Sequence, residues 1–155
     1  MVHDVNHVSI NVLNLERSLT FYQGLFRLPI QHRQGSTTVS LKIGSGPQGI
    51  GLFLGGNGAT GGTPGKPNIA HLCLTIDDFN PDSVLRTLAD YGVKPRGSAG
   101  RGSPLTSLVR MRMEDQGGAK DGTPELYFTD PDGITIQLQD ASYCGGAGYL
   151  GNVCG

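Results

Sequence analysis

The sequence contains no tryptophan, only three cysteines, and charged residues at 16 % with a formal net charge of -1, against about 25 % charged residues in typical domains. So little charge of either sign excludes a surface built to neutralise the phosphates of nucleic acid or an anionic membrane. No apolar run approaches the roughly 20 residues that span a bilayer. The first ten residues, MVHDVNHVSI, show neither the basic nor the apolar region of a signal peptide, so a cytoplasmic location is expected. Three cysteines are too few for a disulfide scaffold. Cys144 and Cys154 bracket CGGAGYLGNVC, whose spacing matches none of the usual zinc patterns. A closed loop, a metal pair and two free thiols all stay open for that tail. What the chain has in excess is glycine, 25 of 155 residues, more than twice the usual share of about 7 %.

Alternation of apolar and polar residues marks half-buried strands. In HVSINV at 7–12, Val8, Ile10 and Val12 oppose His7, Ser9 and Asn11. In AHLCLTI at 70–76, Leu72, Leu74 and Ile76 oppose His71, Cys73 and Thr75, and in ITIQLQ at 134–139 Ile136 and Leu138 oppose Gln137 and Gln139. Shorter strands are expected at 37–43, 50–54, 107–113 and 125–129. Asn14 is placed to cap a helix carrying Leu15, Leu19, Tyr22 and Phe26. Asn80 and Pro81 open a second helix with the stripe Val84, Leu85, Leu88 and Tyr91, and Gly92 stops it. Neither glycine cluster, at 55–68 or 95–104, lies between a strand and a helix, which argues against a phosphate-cradling loop.

The halves repeat. With His7 laid over His71, the strand residues Val8, Ile10 and Val12 fall on Leu72, Leu74 and Ile76. A helix follows in each half, and GIGLFL at 49–54 falls on GITIQL at 133–138. The expected fold is α+β: two βαβββ modules in one chain, forming curved mixed sheets around a metal-binding cleft. One domain covers 1–155, with module 1 at about 5–54, a linker at 55–68, module 2 at about 69–140 and a glycine- and cysteine-rich tail at 141–155. If the apolar faces pack on the helices, the polar faces line the cleft. That gathers His7, His71 and Gln137, two imidazoles and an oxygen donor, as an open facial site for a divalent metal. The overlay makes Phe53 the fourth equivalent position, which cannot coordinate.

Three stretches, NHVSINVLNLERSLTFYQGLF, AHLCLTIDDF and LYFTDPDGITIQLQD, resemble the vicinal-oxygen-chelate superfamily of glyoxalases, bleomycin-resistance proteins and extradiol dioxygenases. The resemblance covers 5–140. It implies that the family's four metal-ligand positions fall on His7, Phe53, His71 and Gln137. Phe53 speaks against the four-ligand glyoxalase site. Extradiol dioxygenases use two histidines and a glutamate, and Gln137 stands where that glutamate is expected. The first reading is therefore an extradiol-type dioxygenase with Fe(II) favoured and Mn(II), Zn(II), Ni(II) or Co(II) as alternatives. It would act on a substrate chelating through neighbouring oxygens. A metal-dependent isomerase or lyase and a ligand-binding protein of the bleomycin-resistance kind are the competing readings.

Glu125 is a rival ligand or the general base, and Tyr127 a hydrogen-bond donor to a bound oxyanion; each has the plainer alternative of a structural side chain. Phe53, Cys73 and Asn11 are expected to wall the substrate pocket. Asp130, Pro131, Asp132 and Gly133 read as a tight turn. His3 and His32 receive no role, His32 being placed in a loop. The resemblance also implies a homodimer.

Overall fold

The computed structural model describes residues 2–55, 63, 65–97, 102–116 and 118–140. Most of the glycine-rich linker, Cys144 and Cys154 lie outside the described residues. Module 1 runs β1 (Val2–Val12), α1 (Leu15–Phe26), β2 (Ile30–Gln34), β3 (Thr38–Lys42) and β4 (Gly49–Leu54). Module 2 runs β5 (Asn68–Ile76), α2 (Pro81–Asp90), β6 (Lys94–Pro95), β7 (Thr106–Arg112), a one-turn helix (Glu114–Gln116), β8 (Thr123–Thr129) and β9 (Thr135–Asp140).

The helix signals act as their chemistry requires. The Asn14 side chain accepts from Arg17 N at 2.9 Å and Asn80 accepts from Ser83 N at 3.0 Å, each satisfying an otherwise orphaned donor. Helix α1 buries Leu15 and Leu19 against Val12, Val39, Leu41 and Leu52. Helix α2 buries no residue fully, and Tyr91, assigned to its stripe, lies past its end and is exposed. At the Asp130 turn, the Asp130 carboxylate accepts from Asp132 N and Ile134 N, and Gly133 takes φ 84°, a conformation glycine adopts freely.

The strands form one nine-stranded mixed sheet in the order β2-β3-β4-β1-β5-β9-β8-β7-β6. The two strands absent from the sequence reading, β2 and β6, are its two edges. Edge strands carry polar residues and little alternation; IQHRQ has one apolar residue in five. His32 therefore sits on a strand, not in a loop.

Strands β1 and β5 join the modules antiparallel, with His7 opposite Cys73 and Ser9 opposite His71. A shift of 64 residues carries His7 onto His71 and Ser9 onto Cys73, so the two pairs exchange. The sequence repeat is thus an approximate two-fold axis between these strands. The sheet curls about this axis until its polar face closes on itself. Ser9, Asn11, His71, Thr75, Gln137 and Gln139 are all buried, whereas Val8, Ile10, Leu72 and Leu74 on the opposite face are only half-buried.

Candidate functional site

The concave face encloses a cavity of about 70 Å³ whose lining draws on both modules, including His7, His32, Phe53, His71, Arg110, Arg112, Glu125, Tyr127 and Gln137. His7, His71, Gln137, Glu125, Tyr127 and Phe53 thus share one chamber within one chain. Asn11 lines an adjoining outer cleft with Phe53 and donates to Asn68 Oδ1 at 3.1 Å. Cys73 is fully buried and is not among the lining residues of either space.

At the two-fold axis the imidazoles of His7 and His71 meet edge to face, Nε2 to Nε2 at 3.3 Å. Asn6 Oδ1 accepts from His7 Nδ1 at 2.7 Å. That bond places the His7 proton on Nδ1 and leaves Nε2 as an acceptor facing His71. Ser9 Oγ stands 3.0 Å from His71 Nε2, and the Tyr127 ring packs edge-on against His71. Burial, then the neighbouring His71, Arg112 and His32, hold His7 well below the usual histidine range. Its ring is neutral at neutral pH, the form that donates to a metal.

Two imidazole nitrogens bound at about 2.1 Å with a tetrahedral angle lie about 3.4 Å apart, close to the spacing seen. Gln137 Nε2 donates to Gln139 Oε1 at 2.9 Å, which turns the Gln137 carbonyl oxygen to other partners. Among the described residues, no three His, Cys, Asp or Glu side chains converge as a metal site. The two imidazoles thus have the spacing of a pair of metal ligands, and Gln137 lines the same chamber.

Both Glu125 oxygens have partners within the protein. Oε1 lies 3.2 Å from Arg112 Nε and Oε2 accepts from Tyr127 OH at 3.1 Å. Arg112, Glu125 and Tyr127 are all buried. Burial and the Glu125 charge push the Tyr127 phenol and the Cys73 thiol up, so both stay protonated.

Strand register corrects the overlay of the two halves. Ser9 faces Gly51 on β4, while its two-fold mate Cys73 faces Gln137 on β9. Gly51, not Phe53, therefore occupies the position equivalent to Gln137. The sequence overlay ran two residues out of step because both hexapeptides begin with glycine. The Phe53 ring folds back across this place, its Cε2 only 2.8 Å from where a Gly51 Cβ would stand.

The sequence reading passed over His32, Arg110 and Arg112. The period-two spacing of the arginines in LVRMR was the available signal; His32 had none, being on an edge strand. His32 Nε2 is within hydrogen-bonding distance of Ser40 Oγ, at 3.2 Å. Burial and then Arg112 lower its pKa to about 4. An unfolded chain takes this proton near pH 6.5. The ring's contribution to stability is thus complete above about pH 6.5 and is lost as pH falls towards 4. Because the ring is partly exposed, solvent screening reduces the expected loss to about 1 kcal/mol between pH 7 and 5. Urea unfolding across that range should show a shallower decline for His32→Asn; parallel curves would remove His32 as a source.

A family model described as the glyoxalase/bleomycin resistance protein/dioxygenase superfamily matches residues 4–138. No curated protein matches the chain significantly. Among solved structures, methylmalonyl-CoA epimerase from Mycobacterium tuberculosis is similar at 17 % identity and TM-score 0.58, covering 90 % of this chain and 89 % of that one. Methylmalonyl-CoA epimerase from Streptomyces coelicolor, in complex with 2-nitronate-propionyl-CoA, is similar at 14 % identity and TM-score 0.58, over 91 % of this chain and 99 % of that one. A 2,3-dioxygenase from a Pseudomonas species is similar at 18 % identity and TM-score 0.66, over 95 % of this chain but only 43 % of its own. Among the described residues no helix is long and apolar enough to cross a membrane. With the two-fold pair of modules, the shared cavity and a family match over most of its length, the chain belongs to the glyoxalase/bleomycin resistance protein/dioxygenase superfamily.

Proposed function

We propose that this protein is a divalent-metal-dependent enzyme for a small substrate presenting two neighbouring oxygens, and that it works by proton transfer beside a stabilised oxyanion, as an isomerase or lyase does. The observation that carries the reading is the His7–His71 pair, with facing Nε2 atoms and the His7 tautomer held by Asn6. His7, His71 and the Gln137 carbonyl oxygen are the groups that would hold the ion. A divalent ion, when bound there, supplies the positive charge that lowers the cost of an oxyanion on the substrate. With three neutral donors, none of that charge is cancelled by the protein ligands.

The chain's own residues then handle the proton. A C–H proton beside the substrate carbonyl can pass to the Tyr127 phenol oxygen as Tyr127 passes its own to Glu125 Oε2. Arg112 holds Glu125 in place for that relay. Phe53 forms an apolar wall over Gly51 and keeps water from that side.

Two observations rank the iron dioxygenase reading second. The facial site of non-haem iron oxygenases includes a carboxylate, whereas Gln137 is neutral and Glu125 is engaged elsewhere. The chamber, at about 70 Å³, is also under half of a cavity of about 150 Å³ known to hold benzene. A catechol would need to place its ring there.

The test is deuterium uptake. Protein loaded with Mn(II) or Co(II) is incubated in heavy water with 2-oxo and 2-hydroxy acids, and exchange beside the carbonyl is followed by NMR. Metal-dependent exchange, slowed roughly 100-fold by Tyr127→Phe, is expected. Oxygen uptake with catechols and no exchange would install the dioxygenase; tight ligand binding with neither reaction would leave a binding protein. A gain-of-function check uses the double variant Gly51→Glu, Phe53→Ala, which places a carboxylate at the two-fold mate of Gln137. Mn(II) affinity should rise on the order of tenfold; unchanged affinity would show that this position does not face the ion.

A further inference from the structure

The inner chamber adjoins an outer cleft of about 550 Å³, and the two share Gln34, Thr38, Phe53 and Arg110 as lining. A ligand whose oxygens reach the histidine pair can therefore keep only a few atoms inside, while the rest extends past Arg110. Arg110 stands opposite Glu125 in the β7–β8 register, yet both Glu125 oxygens are taken by Arg112 and Tyr127. Arg110 instead donates to the Gln116 side-chain oxygen, a neutral group. Among the described residues no carboxylate lies within ion-pair distance of Arg110. The outer cleft contains one acidic lining residue, Asp115, which is exposed. A half-buried guanidinium bonded to a neutral amide keeps its charge available to a ligand, and its planar fork suits a carboxylate or phosphate. Its field also reaches the chamber, where it offsets part of the upward push on Tyr127.

Resting on the proposed chelating site, we infer that the substrate is an acid with a compact two-oxygen head and a second anionic group further along, and that Arg110 selects for that second group. The geometry assigns the head to the inner chamber and the tail to the outer cleft, with Arg110 at the junction.

Calorimetry on the Mn(II)-loaded protein tests this with one head and varied tails. 2-Oxopentanoate has an uncharged tail; 2-oxoglutarate, 2-oxoadipate and 2-oxopimelate carry a carboxylate after two, three or four methylenes. At least one diacid should bind about tenfold tighter than 2-oxopentanoate. Arg110→Gln should erase that preference by weakening the diacids far more than 2-oxopentanoate, and Arg110→Lys should restore part of it. Equal binding of all four acids, or a preference that survives Arg110→Gln, overturns the role of Arg110 and leaves the chelating site standing. If none of the four binds while Mn(II) itself does, the chelating reading fails and this inference falls with it.

Discussion

Replacing His71 with alanine should weaken Mn(II) or Co(II) binding on the order of 100-fold or more. Removing a group that merely orients a metal ligand already costs 10–100-fold, and His71 would be a ligand itself. His7→Ala should cost as much, because the pair is symmetric about the axis between β1 and β5. Asn6→Ala should cost about tenfold, since it frees the His7 ring without removing it. Titration calorimetry gives the affinities directly. Thermal unfolding gives an independent reading: an ion at 100 times its dissociation constant adds about 2.7 kcal/mol to stability, and that gain should vanish in both alanine variants. A metal-induced gain that survives in His71→Ala would place the ion elsewhere.

The second large effect concerns the buried ion pair. Glu125→Gln leaves the Arg112 guanidinium buried without its carboxylate and should cost about 3–5 kcal/mol. Arg112→Met strands Glu125 in the same way and should cost about as much. In a chain of this size 1 kcal/mol moves Tm by roughly 2–4 °C, so each single variant should melt on the order of 10 °C lower. The double variant Glu125→Gln, Arg112→Met buries no charge and should be more stable than either single one, since a buried pair gains little over a neutral replacement. Urea unfolding of the four proteins closes the cycle. If each single change costs under about 1 kcal/mol, water reaches the pair and the phenol–carboxylate relay is not shielded from solvent.

The helix caps, the central strands and the repeat were legible because each rests on local chemistry. Asn14 and Asn80 cap wherever a helix begins, and alternation exposes a two-faced strand. His7 and His71 could be paired from the sequence because they occupy the same place in two similar strands. The edge strands were not legible. Ile30–Gln34 has no alternating apolar face, because nothing packs against an edge strand on its outer side, and with it His32 was lost. The counterpart of Gln137 was misassigned: only the ladder shows Gly51 against Ser9, since register is a relation between strands that no single strand encodes.

Sequence by itself determined that this chain is two copies of one module, that its polar strand faces point inward, and that two histidines share a cleft. These follow from periodicity, which the backbone enforces residue by residue. Tertiary structure alone decided which neighbours complete the site. The curl of the sheet brings His32 on one flank and Arg112 on the other to a single chamber. The diagonal from Arg112 to Glu125 engages the carboxylate inside the chamber, and Arg110 is left to donate to the neutral Gln116 side chain. Those outcomes depend on curvature and register, long-range quantities set by how the whole sheet closes, and no local pattern carries them.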